Sequence, residues 1–447
     1  MALSRAILVF SSLGLASAVP AQAQDPSAAE AVREAVSADY DEHLEELFLH
    51  FHRNPELSFL ETNTAARMAA ELRSAGLEVT EGIGRTGVVG MLRNGDGPLI
   101  LLRADMDGLP VREASGLSYA SQAVQAGLNG QEYPVMHACG HDVHITSLVG
   151  TARRLMALRD HWRGTIMFVV QPAEERLSGA KAMIEDGLYE RFGTPDYALA
   201  FHVASALPTG KLGSTLGIST STSDAVNLTV SGIGAHGAFP HAGRDPVYIG
   251  AQIVTALQSI DSREFAPLEP VVVTVGAFNS GTKHNIISDR ADLQITVRAN
   301  SKASREQALA AIERIAVNIG RAHGLPENML PFMEVVEGTA EVRNDRALAE
   351  RLNATLREAF GEDTLIEGKQ EGMGSEDFGE FVTNELGVPG YFYAVGGTPP
   401  EAFAAAAAGG PAIPSHHSPL FKVAPRESIT LGARSMVAAV LDLAAAE

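Results

Sequence analysis

Apolar residues run along this chain in two rhythms. Short continuous runs at Pro98–Leu102, Thr165–Val170 and Tyr197–Phe201 are each bounded by glycine, proline or acidic residues. Their brevity and lack of alternation predict buried strands, with a parallel arrangement expected of the first. Between and around them, apolar positions recur at helical spacing over 27–52, 67–75 and 142–158. Strands alternating with helices predict an α/β sheet, whose ligands bind beyond the carboxyl ends of the strands.

Near Gly217 the rhythm changes. Asp224–Ser231 alternates polar and apolar, as a half-buried strand does, and Val271–Val275 and Leu293–Val297 read as further strands. Pro246–Ser259 and Arg305–His323 have helical spacing. These strands and two helices, in about 110 residues, suffice for a small α+β domain inserted into the first. We therefore expect a catalytic domain in two parts, 24–214 and 331–447, with an insert at 215–330. Helices return over Leu348–Phe360 and Ile429–Ala444, and the Ala/Gly-rich stretch 402–410 is expected to be a mobile loop.

Composition narrows the partners. The 447 residues are 45% hydrophobic and 20% charged, which is the range of folded chains. The formal net charge of −20 repels phosphate backbones and anionic lipid, so neither nucleic acid nor membrane is an expected partner. Residues 1–23 have the form of a secretory signal: Arg5, an apolar stretch from Ala6 to Val19, then Ala21-Gln22-Ala23 as a cleavage site. A secreted or periplasmic location follows as an expectation. The single cysteine, Cys139, excludes an intrachain disulfide and would be a free thiol in an oxidising compartment.

That cysteine lies in the densest chemical segment, MHACGHDVH at 136–144. Thiolate and neutral imidazole suit zinc, manganese or nickel, and Gly140 lets the backbone bend so that Cys139 and His141 can face one ion. Asp105-Met106-Asp107 closes the first apolar run, where acids can orient ligands or merely cap a following helix. Glu174 and Glu175, in QPAEE, follow the second run; of two such carboxylates, one can hold a metal while the other stays free as a general base. His202 follows the third run, and His416-His417-Ser418-Pro419 lies near the C-terminus. Cys139, His141, Glu175, His202 and His417 make five donors, more than one tetrahedral ion needs, so two divalent ions sharing a bridging group fit better. Other chemistries fail on pattern. There is no G-x-S-x-G elbow, Ser178–Lys181 lacks the companions of an S-x-x-K site, and Gly232-Ile233-Gly234 lacks the rest of a dinucleotide fingerprint.

In order, FHRNPELSFLE, RADMDGLP, MHACGHDVH, QPAEE, FHVASALPTG, GIGAHGAFPH, GMGSEDF and HHSPLF resemble the metal-dependent amidohydrolases related to aminoacylase and glutamate carboxypeptidase. The nearest branch is that of hippurate hydrolases, N-acyl-amino-acid amidohydrolases and plant indole-acetyl-amino-acid hydrolases. The resemblance spans about residues 45–440 and implies a sheet-based dinuclear metallohydrolase with an inserted lid or dimerisation domain. It implies the five donors above as ligands, with His417 preferred to His416 because the family's ligand directly precedes the Ser/Asn-Pro pair. It makes Glu174 the general base and Asp107 a supporting acid. His236 of the lid would reach a substrate oxygen, within one chain or from the second subunit of a homodimer or larger oligomer, and Asn285 and Arg298 would meet the substrate carboxylate. The implied substrates are N-acyl amino acids or short peptides, with a carboxypeptidase or dipeptidase as one alternative and a non-catalytic metal-stabilised binding protein as another. Gly108, Ala235 and Ser288 stand where the family mostly has Ala, Gly and Pro.

Overall fold

Alternate residues of the first apolar run go to opposite sides of a sheet. Ile100 and Leu102 join one core with Ile166, Phe168 and Val170, whereas Leu101 joins another with Met167 and Val169. A strand buried on both faces has no use for polar alternation, which explains the continuous apolar pattern. The computed structural model describes residues 26–383 and 385–446. The signal segment expected at 1–23 lies outside them.

The large sheet has eight strands. Across it they run Glu78–Ile83, Gly87–Asn94, Gly164–Gln171, Leu99–Asp105, Tyr197–Pro208, Gly390–Thr398, Leu212–Thr215 and Leu365–Gly368. The four central strands, from Gly164–Gln171 to Gly390–Thr398, are mutually parallel, and antiparallel strands flank them. The helices His141–Ala157 and Pro425–Leu443 pack together over one face, and the sole tryptophan, Trp162, is fully buried in that core.

The insert is a separate four-stranded antiparallel sheet in the order Val271–Ser280, Arg290–Ala299, Thr222–Ser231, Phe332–Thr339. Helices Pro246–Leu257 and Lys302–Ala322 contribute Ile249, Ile253, Ala308 and Ile312 to its own core. Asp245 and Ser301 cap these helices through side-chain oxygens, as their sequence positions invite. A short ribbon, Ile218–Thr220 against Val342–Arg343, joins insert to main domain. The molecule is therefore an α/β catalytic domain carrying a smaller α+β insert.

Two expectations need correction. The fourth strand of the small sheet, Phe332–Thr339, lies past residue 330, where the insert was expected to end; its exposed edge position leaves Phe332, Val335 and Val336 in no recognisable alternation. The Ala/Gly-rich stretch contains an exposed helix, Pro400–Ala407. Alanine has the highest intrinsic helix propensity and proline suits the first turn, so low complexity here does not mean irregular backbone.

Candidate metal centre

The donors converge at the carboxyl end of the parallel block. His202 is not at a strand end, as its apolar run suggested, but inside Tyr197–Pro208. Pairing with Leu99–Asp105 stops at Ala200 against Arg103, while pairing with Gly390–Thr398 continues. The strand thus outruns one neighbour, and His202 sits where the sheet opens.

Cys139 and His141 flank Gly140, whose φ of +87° lies in the left-handed region. A Cβ there would fall 2.4 Å from Val203 Cγ1, so the tight approach of this turn to the sheet requires glycine. Cys139 Sγ lies 3.4 Å from His202 Nε2. Metal-ligating atoms of Cys139, His141 and His202 all fall within 4.8 Å of one another, as do those of Cys139, Glu175 and His417. Cys139 belongs to both trios. His417 Nε2 is 3.4 Å from Glu175 Oε2, and the His417 N–H donates to the Ala138 carbonyl, tying the C-terminal loop to the cysteine turn.

The histidines are oriented from behind. His141 Nδ1 is 2.8 Å from the Asp107 carbonyl and His202 Nδ1 is 2.8 Å from the Val203 carbonyl. Each ring therefore carries its proton on Nδ1 and turns Nε2 to the cluster, the usual arrangement for a metal-bound imidazole. His416 differs. Its Nε2 accepts the Ser205 N–H at 3.2 Å, leaving Nδ1 to donate towards Cys139 Sγ at 3.6 Å.

Asp107 organises the acidic side. Its carboxylate accepts the backbone N–H groups of both Glu174 and Glu175, at 3.2 and 3.1 Å, and the Ser58 hydroxyl at 2.6 Å. The Glu174–Arg176 turn follows Ala173, held at φ +49°. One buried carboxylate thus sets the direction of two others.

The charge balance of the site calls for cations. His141 Nε2 and Glu175 Oε1 are buried without a hydrogen-bond partner among the described residues, a costly state unless an ion lies between such groups. Burial, reinforced by Glu175 and Glu174, pushes the Cys139 thiol well up, out of reach of a thiolate at neutral pH without positive charge nearby. Burial and the neighbouring Glu376, Glu175 and Asp377 likewise hold the Glu174 carboxyl well above its ordinary range. Glu175 is pushed up to about 8 by burial, with His141 opposing and Asp107 and Asp105 adding to the rise. Burial works against charge on His141, yet Asp105 and Asp107 raise it to about 10. Two divalent ions fit this donor set and relieve each of these conflicts.

Several functional neighbours were given no role by the sequence alone. Arg103, fully buried, reaches Asp105, Glu376 and Asp377 at 2.7, 2.6 and 3.3 Å. His144 Nδ1 lies 2.6 Å from Asp105 Oδ1, while its Nε2 accepts the Val203 N–H. The motif GMGSEDF was a pointer to Glu376 and Asp377, but their partner Arg103 lies 273 and 274 residues away. His137, the first histidine of the dense segment, is buried with neither ring nitrogen hydrogen-bonded among the described residues, and burial lowers its pKa to about 4.

The other expected residues are not brought to this cluster. His236 is exposed on a two-residue strand, Ala235–His236, paired with Ile286–Ile287. Asn285 is exposed beside it, its carbonyl accepting the Gly237 N–H. Arg298, half-buried, donates to the Ser375 hydroxyl of the GMGSEDF segment, so it faces the seam between insert and main domain.

An α/β scaffold with two overlapping donor trios and an adjacent carboxylate defines a dinuclear metallohydrolase. The chain belongs to peptidase family M20/M25/M40, whose family model matches residues 101–408. A hippurate hydrolase of Campylobacter jejuni is 38% identical over 77% of this chain and 86% of its own length. Thermostable carboxypeptidase 2 of Saccharolobus solfataricus is 37% identical over 76% and 83%. Among solved structures, a putative aminohydrolase from methicillin-resistant Staphylococcus aureus matches with a TM-score of 0.81 at 30% identity, over 93% of this chain and 99% of the other. A Bacillus subtilis dinuclear metal-binding peptidase of the M20 family matches with a TM-score of 0.70 at 26% identity, over 92% and 98%.

Proposed function

We propose that this chain hydrolyses the amide bond of N-acyl amino acids or closely related short peptides. The supporting observation is the pair of donor trios sharing Cys139, with Glu174 beside them. Cys139, His141, Glu175, His202 and His417 would hold two divalent ions, with zinc, manganese or nickel suited to thiolate, imidazole and carboxylate donors. When bound, such ions polarise a carbonyl and lower the pKa of water to about 7.

The remaining steps belong to side chains. Glu174 accepts the proton of the attacking water and passes it to the leaving amine. Asp107 keeps Glu174 and Glu175 aimed by holding their amides. His236 stabilises charge on the carbonyl oxygen, and Asn285 and Arg298 receive the substrate α-carboxylate. Because His236 and Asn285 are exposed on the insert, this reading requires the insert to swing over the site or a second copy to supply them.

A homodimer through the insert is part of the proposal, as is export directed by residues 1–23. The N-terminal residue of the protein recovered from its native host checks the latter, and Gln24 is expected. The carboxypeptidase relative supports a second reading, in which the same site removes a C-terminal residue from peptides. Metals per chain, with a panel of N-acyl amino acids, dipeptides and longer peptides, test both readings. About two metals per chain and metal-dependent release of free amino acid from the acylated substrates is the expected result. One metal per chain and no turnover across the panel would overturn it.

A further inference from the structure

Beside the Glu174–Glu175 turn the two domains face each other across an open cleft of about 420 Å³. Its main-domain wall carries Arg85, Arg176 and Lys181, and its insert wall carries Arg305 and Glu337. Four cations against one carboxylate reverse, locally, the sign of a chain whose net charge is −20. Three of the four have a carboxylate neighbour: Arg305 holds Asp224 at 2.6 Å, Arg176 lies 3.5 Å from Glu337, and Lys181 is the third. Among the described residues Lys181 meets one carboxylate, Glu185 on its own helix, at 3.9 Å. Arg85 has no carboxylate partner among the described residues; its guanidinium is stacked over the Phe59 ring, 4.3 Å from the centroid. Apolar surface borders these charges, with Val335 and Val336 of the insert 41% and 46% exposed.

Backbone strain marks the same place. Among the described residues, five that are not glycine have positive φ: Phe59, Arg85, Ala173, Leu177 and His417. Ala173 precedes Glu174, and His417 is in the donor set. The other three all line this cleft. Left-handed backbone is costly for aromatic and long side chains, and it persists where the surroundings over-determine it, as in ligand clamps.

We propose that the cleft is a substrate subsite for a carboxylate on an apolar stem, additional to the α-carboxylate. The inference rests on the amide-hydrolase reading and narrows its substrate class. Phe59 presets the Arg85 guanidinium, which can then receive a carboxylate through two parallel N–H donors, with Lys181 adding a movable charge. Phe59, Val335 and Val336 cover the stem. The extra carboxylate can lie on the acyl side, as in an N-succinyl amino acid, or on the amino-acid side, as in an N-acylglutamate.

The test compares isosteric pairs on the metal-loaded enzyme. N-succinyl-leucine is set against its terminal amide, and N-acetylglutamate against N-acetylglutamine, in wild type, Arg85→Gln, Lys181→Gln and the double variant. In at least one pair the acid is expected to exceed its amide in kcat/KM by about tenfold or more, the scale of a charge-assisted contact. The pair that responds identifies the side. The double variant should bring that ratio close to one while leaving kcat/KM for the amides within about twofold. Equal rates for acid and amide in both wild-type pairs, or a preference that survives the double variant, overturns the subsite.

Calorimetric titration with glutarate separates this failure from that of the parent reading. If no substrate in the panel turns over, the hydrolase reading falls, and the cleft is judged by binding alone. Glutarate affinity lower by about tenfold in the double variant upholds the anion site, and equal affinity in the two proteins overturns it.

Discussion

The donor cluster and the His236 segment are the two halves of the proposed active site, and they are built on opposite plans. The cluster has Cys139 and His141 buried and only His417 exposed among its five donors, and it is held from several directions. Asp107 fixes two glutamates through their amides, backbone carbonyls fix two histidine rings, and the His417 N–H closes the loop onto Ala138. The His236 segment is exposed, on a two-residue ribbon whose nearest candidate partner, Asn285, is also exposed. The contrast teaches that groups with conflicting charges must be pre-organised by one chain, because burying them singly is prohibitive. Groups that meet only substrate can wait outside and arrive by closure or from a second copy.

The strongest test of that contrast is Glu174→Gln. Turnover should fall by about a thousandfold or more with metal content unchanged; a variant near the wild-type rate removes Glu174 from the mechanism. Next is Arg103→Met, which strips the shared guanidinium from Asp105, Glu376 and Asp377. A loss of about 3–5 kcal/mol is expected, read as a large drop in thermal midpoint, and an unshifted midpoint would mean these acids fold protonated.

His236→Ala should cost about a hundredfold in turnover and nothing in metal content, the reverse of a cluster variant. Delivery from a second subunit predicts more. Mixing inactive His236→Ala and Glu174→Gln chains under conditions of subunit exchange should restore part of the activity, and no restoration would favour closure within one chain. Asp107→Asn weakens the support without removing a donor, so metal affinity in a chelator competition should fall about 10- to 100-fold.

The smallest expected effect lies far from both halves. Burial alone would raise the Glu71 carboxyl, but His43 and Arg67 beside it prevail and hold it below its ordinary 4.5. A depressed carboxylate stabilises the fold above its unfolded-state pKa, and that contribution is lost as pH falls through the lower, folded value. Glu71→Gln should therefore cost less than about 1 kcal/mol near neutrality and flatten the acid limb of a thermal-midpoint profile. A limb of unchanged slope would assign acid unfolding to other groups.

The legible parts of the fold were those where burial leaves a local mark. Leu99–Asp105, Gly164–Gln171 and the start of Tyr197–Pro208 are apolar on both faces and announce themselves. Gly390–Thr398 is equally central yet passed unread, because Gly390, Gly396 and Gly397 dilute its pattern. Those glycines serve packing: a Cβ at Gly396 would fall 1.8 Å from the Pro208 carbonyl oxygen. The donors were legible as residue types, since thiol, imidazole and paired carboxylates after buried strands have few other uses. Arg103 was not, because a buried arginine in an apolar strand has meaning only beside the acids that surround it.

By itself, the sequence determined the alternation of strands and helices, the donor chemistry and the family, because periodicity and side-chain type are local properties. Only the tertiary structure decided that Cys139 belongs to two donor trios and that Asp107 aims the glutamates. It also decided that His416 turns its proton towards the cysteine while His417 joins the donors, and that His236 stands away from them all. Each of these depends on distances between segments as much as 278 residues apart, as Cys139 and His417 are, and such distances are set by how sheets and helices pack.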